Sequence, residues 1–144
     1  MAECAAGALD LEAMMTERRV LIIDDDIELL RQMVMAFRSR AFEVMAAPDG
    51  QAGLAQFAKS PTDLVVTDII MPNREGIETI VALKKRRPSV KVIAISGGYR
   101  VGPEDFLNLA GHVGADGVLA KPFKLSKLLD KAEALLLPAG AYAL

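Results

Sequence analysis

The sequence has one cysteine, Cys4, one histidine, His112, and no tryptophan. A single cysteine excludes an internal disulfide and suits a reducing compartment. One cysteine with one histidine argues against a structural zinc site, which draws on several such ligands. No apolar run approaches the ~20 residues of a membrane span. Residues 1 to 15 carry Glu3, Asp10 and Glu12 and no basic residue, so they lack the positive start and unbroken apolar stretch of a secretory signal. Cytoplasmic residence is the expectation. Net charge is −2 and the pI about 5.4, so no basic field draws the chain to nucleic acid or to an anionic membrane. The one basic cluster, Lys84-Lys85-Arg86-Arg87, reads as a helix end, where cations offset the negative end of the helix dipole. His112 has no acid–base partner visible in sequence and reads as a surface residue.

The chain is 52% apolar and 25% charged, the balance of a soluble globular protein, and 144 residues allow one domain with a proper core. Strand-like and helix-like stretches alternate. Strands are expected at 19–23, 42–46, 64–67, 90–95 and 117–120. Helices are expected at 27–39, 50–59, 76–87, 103–113 and 125–137. Ile27, Leu30, Val34 and Phe37 form the apolar stripe of the first helix, and Asp26 is placed to cap it. Met33, Met35 and Met45 read as core filler. Ser60-Pro61, Pro88 and Pro138 stop helices, and Pro103 starts one. The strands are continuous apolar runs rather than alternating ones, as expected when helices cover both faces of a parallel sheet. The class is therefore a doubly wound α/β sheet of five βα units. Residues 1–18 are expected to be a disordered arm, with Met14-Met15 as an alternative start, and residues 138–144 a tail.

Four of the apolar runs finish in residues fit for phosphate and metal chemistry. Val20-Leu21-Ile22-Ile23 ends in Asp24-Asp25-Asp26, and Leu64-Val65-Val66-Thr67 ends in Asp68. Val92-Ile93-Ala94-Ile95 ends in Ser96, and Val118-Leu119-Ala120 ends in Lys121-Pro122-Phe123. In an open parallel sheet all carboxyl ends lie along one edge, so these groups converge. Three adjacent acids repel one another, and a divalent cation relieves that repulsion. Mg²⁺ takes oxygen ligands in octahedral geometry, usually one or two carboxylates with phosphate and water. Asp24, Asp25 and Asp68 could supply carboxylates, and Ile70 a backbone carbonyl. Asp25 and Asp68 are expected to bind directly and Asp24 through water. Asp68 is also a candidate nucleophile, since a carboxylate can attack phosphorus. Lys121, held in a stiff X-Pro turn, can pair with a phosphoryl oxygen, or with Asp68 when no phosphate is there. Ser96 can donate its hydroxyl, and Gly97-Gly98 keeps the approach open.

In this order these pieces, with Met71-Pro72 and Gly76 after Asp68, resemble the receiver domain of two-component response regulators, of the chemotaxis single-domain type. The resemblance spans about residues 19 to 137. It implies a flavodoxin-like (βα)5 sheet of strand order 2-1-3-4-5. It implies that Asp68 accepts a phosphoryl group from a histidine kinase or a histidine phosphotransfer protein in a phosphorelay. Asp24, Asp25 and Asp68 would hold Mg²⁺, Ser96 would be the switch hydroxyl and Lys121 the phosphate-binding lysine. The expected protein is a stand-alone receiver that signals by docking to another protein, without nucleic acid or membrane. It is not an enzyme beyond assisting its own phosphorylation and dephosphorylation.

Three departures from the family pattern bear on mechanism. Val118 stands where the family often has an aromatic ring, so no ring is available to swing. The segment from Ser96 to Pro103 is longer than usual and carries Gly97, Gly98 and Gly102. Ile70 and Gly98 offer no polar side chain to hold a hydrolytic water, which implies a long-lived phosphate. Two other readings compete. A haloacid-dehalogenase-like phosphohydrolase also uses an aspartyl phosphate, but needs a Thr or Val where Asp24-Asp25-Asp26-Ile27-Glu28 has Glu28, and acids after the lysine that occur here only as Asp130 and Glu133 within a helix. An interaction-only receiver would not need the intact acid, hydroxyl and lysine set.

Overall fold

The computed structural model describes residues 18–69, 75–96 and 114–137. The N-terminal arm, Ile70, Met71-Pro72, the loop from Gly97, the helix expected over 103–113 with His112, and the tail lie outside them. Among the described residues the order is β1 (Arg19–Ile23), α1 (Ile27–Ser39), β2 (Glu43–Ala47), α2 (Gly50–Lys59), β3 (Leu64–Asp68), α3 (Glu75–Arg86), β4 (Lys91–Ser96), β5 (Gly117–Ala120) and α4 (Leu125–Leu136). The strands form one parallel sheet in the order β2-β1-β3-β4-β5. This is the expected flavodoxin-like arrangement.

Continuous apolar runs become strands buried on both faces. Val20, Ile22, Leu64, Val66, Ile93 and Ile95 meet α1 and α4 on one side, through Leu30, Met33, Phe37, Leu128, Leu129 and Ala132. Leu21, Ile23, Val65, Val92 and Ala94 meet α2 and α3 on the other, through Phe57, Ile80 and Leu83. Phe37 and Phe42 pack edge to face, with ring centroids 4.9 Å apart. Each fully buried Leu, Ile or Phe contributes about 1.5–3 kcal/mol relative to an exposed one, so the two layers supply most of the driving force for folding.

Asp26 caps α1 as expected: its carboxylate accepts the N–H groups of Glu28 and Leu29 at 3.1 and 3.2 Å. Asp49 caps α2 in the same way, accepting from the Ala52 N–H at 2.8 Å. Not every residue expected inside lies inside. Met33 is buried, but Met35 is 71% exposed, and Ile27, placed in the apolar stripe, is 49% exposed. Met35 lies two residues from Met33, about 200° round the helix, and so faces away from the sheet. Ile27 is the first residue of α1, at the helix end rather than along its buried face.

Candidate functional site

β1 and β3 are neighbours in register, with Ile23 beside Thr67. Asp24 and Asp68 therefore stand level at the carboxyl edge, one residue further on. β4 pairs with β3 so that Asp68 lies beside Ile95, and with β5 so that Ser96 lies beside Ala120. Lys121 follows at once, and its N–H donates to the Ser96 carbonyl at 2.7 Å. The sheet thus brings Asp24, Asp25, Asp68, Ser96 and Lys121 to one edge. Ile70 lies outside the described residues.

The three acids have distinct surroundings. Asp24 is fully buried, and its Oδ1 accepts the Asp26 N–H at 2.8 Å. Asp25 is exposed, and Asp68 is nearly buried. Carboxylate oxygens of all three lie within 4.8 Å of one another. That is a hard, all-oxygen donor set of the kind Mg²⁺ prefers, and the residues present fit such an ion.

Among the described residues, one ammonium faces the cluster. Lys121 Nζ lies 2.8 Å from Asp68 Oδ2 and 3.3 Å from Asp24 Oδ2. The pairing with Asp68 was expected from sequence; the second pairing, with Asp24, was not. The Lys121–Pro122 peptide bond is cis. Burial pushes the Asp24 carboxyl up to about 6. The Asp26 N–H and Lys121 pull it down, and the neighbouring charge of Asp68 pushes it up. For Lys121, burial works to lower the pKa, but the hydrogen bond and charge of Asp68, and then Asp24, outweigh it and raise the ammonium above its ordinary value.

Ser96 is fully buried at the end of β4. Val118 packs on the α2/α3 side of the sheet as a half-buried aliphatic residue. The basic cluster is more than a solvated helix end. Lys84 donates to the Val90 carbonyl at 2.6 Å and to Asp116 at 2.8 Å, and Arg87 donates to the Thr62 carbonyl at 2.9 Å.

An acidic pocket and a lysine thus share the carboxyl edge of a 2-1-3-4-5 parallel sheet, the layout of a doubly wound signalling domain. A family model described as the response regulator receiver domain matches residues 20–133. The chain belongs to that family. The transcriptional regulatory protein PrrA of Mycobacterium tuberculosis is 35% identical over 129 residues, covering 89% of this chain and 54% of that protein. The chain thus spans about half the length of such curated relatives. The response regulator receiver protein CpdR of Brucella abortus is 30% identical over 123 residues, covering 85% of this chain and 99% of that protein. The solved CheY-like receiver domain from Methanospirillum hungatei matches with a TM-score of 0.74 at 30% identity, covering 83% of this chain and 93% of that one. No helix among the described residues is long and apolar enough to cross a membrane.

Proposed function

We propose that this receiver is a phosphorylation-controlled switch in which Asp68 accepts a phosphoryl group from a histidine kinase or a histidine phosphotransfer protein. The observation that carries the reading is the contact of Lys121 with Asp68 at 2.8 Å inside a cluster of three acids. An Asp68 carboxylate oxygen attacks phosphorus in line. The P–N bond of the phosphohistidine breaks and its electron pair stays on the imidazole. Lys121 then turns from the carboxylate to a phosphoryl oxygen, and the Ser96 hydroxyl donates to another. Asp25 and Asp68 would hold Mg²⁺ directly and Asp24 through water. Bound there, the ion neutralises charge between the carboxylates and the incoming phosphoryl oxygens.

The chemistry falls on the chain's own carboxylate, so the protein is a switch rather than an enzyme with an external product, and it works in the cytoplasm. Its output is docking to another protein, as a stand-alone receiver. The near-complete match to CpdR, named as a receiver protein, supports that reading. A second reading, service to transcription, is favoured by the match to PrrA, named as a transcriptional regulator. The test of phosphorylation is incubation with acetyl phosphate and Mg²⁺, followed by intact mass. Wild type is expected to gain one phosphoryl group and Asp68→Asn none. Equal incorporation in the two proteins would remove Asp68 from the role.

A further inference from the structure

Two glycines sit where a side chain has no room, and they differ in what they touch. In α2, a Cβ built on Gly53 would come within 2.4 Å of Ile23 Cδ1 and 2.8 Å of Ile23 Cγ1. Those atoms belong to a side chain, whose outer methyl can rotate away. In the first turn of α3, a Cβ built on Gly76 would come within 2.3 Å of the Ile69 Cα, 2.4 Å of the Asp68 carbonyl oxygen and 3.0 Å of the Ile69 carbonyl carbon. Those atoms are all main chain, and the two nearest belong to the peptide that leaves Asp68. Real Cβ atoms essentially never approach under 3.0 Å, so a side chain here demands a shift of about 0.7 Å. The backbone of Gly76 is not in the left-handed region, so clearance, not conformational freedom, is what glycine supplies there.

Both sides of that contact are anchored. The Ile69 N–H donates to the Ile95 carbonyl at 2.9 Å, and Ile69 is buried. Further along α3, Ile80 and Leu83 are fully buried and Lys84 is tied to Asp116 and to the Val90 carbonyl. A side chain at position 76 must therefore either turn the Asp68–Ile69 peptide or lift the first turn of α3 off it. In both cases the main chain of Asp68 loses its backing.

We infer that Gly76 is a positioning residue for the phosphoryl acceptor: its missing side chain lets α3 rest directly on the Asp68–Ile69 peptide and so fixes where the Asp68 carboxylate points. The inference rests on the reading of Asp68 as acceptor. A displacement approaching 1 Å at a reacting group costs up to about 100-fold in rate. Gly76→Ala is accordingly expected to slow phosphorylation by acetyl phosphate by about 10- to 100-fold and to weaken Mg²⁺ binding.

The experiment compares wild type, Asp68→Asn, Gly76→Ala and Gly53→Ala. Each is checked for fold by circular dichroism, then assayed for Mg²⁺ affinity and for the rate of phosphate incorporation from acetyl phosphate. Both glycine variants are expected to melt earlier than wild type. Only Gly76→Ala is expected to lose rate and Mg²⁺ affinity. Adding Ile23→Val, which removes the nearer of the two Ile23 atoms, should recover part of the melting temperature of Gly53→Ala, whereas adding Ile69→Ala should restore nothing to Gly76→Ala, because its conflict is with main chain. A folded Gly76→Ala with the wild-type rate and Mg²⁺ affinity overturns the inference and leaves the acceptor role intact if Asp68→Asn is inert. Incorporation by Asp68→Asn instead overturns the acceptor reading itself. Should Gly76→Ala not fold, the wild-type amide resonance of Gly76 decides. It is expected to shift when Mg²⁺ and beryllofluoride are added, and a stationary resonance overturns the inference.

Discussion

Among the described residues, acids at the amino ends of the strands each face a cation of their own, whereas at the carboxyl ends three acids cluster around one lysine. Before β3, Asp63 accepts the Arg19 N–H at 3.3 Å and faces Arg87 at 3.5 Å. Before β5, Asp116 accepts from Lys84 at 2.8 Å and from the Val92 N–H at 2.9 Å. Each acid there has its own cation. At the other end of the same strands Asp24 and Asp68 share Lys121, with the exposed Asp25 beside them. Burial makes the imbalance costly, since Asp24 has no solvent to screen it. The amino ends hold the sheet together. The carboxyl ends keep an electrostatic debt that a cation or a rearranged lysine can settle.

The same isosteric change should therefore have opposite signs at the two ends. Asp24→Asn is expected to stabilise the fold by about 2–3 kcal/mol at pH 7.5 in EDTA, from a carboxyl raised from 3.8 to about 6. The folded protein binds this proton more tightly than the unfolded chain does. The penalty is therefore absent below about 3.8, accumulates as pH rises to about 6, and is complete above that. The gain from Asp24→Asn should fade between pH 6 and pH 4, which urea unfolding at several pH values would check. The same variant should bind Mg²⁺ more weakly by titration calorimetry. A variant no more stable than wild type at pH 7.5 would mean that Lys121 already compensates Asp24.

Asp116→Asn should act the other way and less. It removes the charge opposite Lys84 and weakens the tie between the ends of α3, β4 and β5. A loss of about 1 kcal/mol is expected, the usual worth of a part-exposed charged hydrogen bond. Phosphate incorporation should be unchanged, which separates it from any variant at the carboxyl edge. The smallest effect belongs to Arg19→Ala. Its pairing with Glu43 at 3.0 Å joins two exposed side chains, and its loss should move stability by less than about 0.5 kcal/mol in denaturant titration. A larger loss would show that the amino end works as a network rather than as separate pairs.

Much of the carboxyl edge could be read from sequence, because each strand is an unbroken apolar run with a polar residue at its end. That pattern located Asp24, Asp25, Asp68, Ser96 and Lys121 and the doubly wound class. The cap at Asp26 was legible as an acid before an apolar-periodic stretch. Asp49 before Gly50 carries a similar signal and was passed over. The amino edge was not legible. Lys84 and Asp116 are 32 residues apart, and no periodicity links them. Helix faces were read less well than strands: Ile27 fits a 3.6-residue stripe, yet the buried face of the helix is Leu30, Met33 and Phe37. Gly76 was marked by its place after Asp68 in the family pattern, but what it does was not legible, since a clearance between main-chain atoms leaves no mark on composition.

The 2.7 Å hydrogen bond from the Lys121 N–H to the Ser96 carbonyl has a mechanical consequence. Ser96 and Lys121, whose ammonium meets the acceptor, are carried by adjoining strands yoked at their last rung. A shift of one strand end is transmitted to the other through that main-chain bond rather than through the side chains. The pair therefore works as a single lever with two handles, and its throw depends on whether both are grasped together.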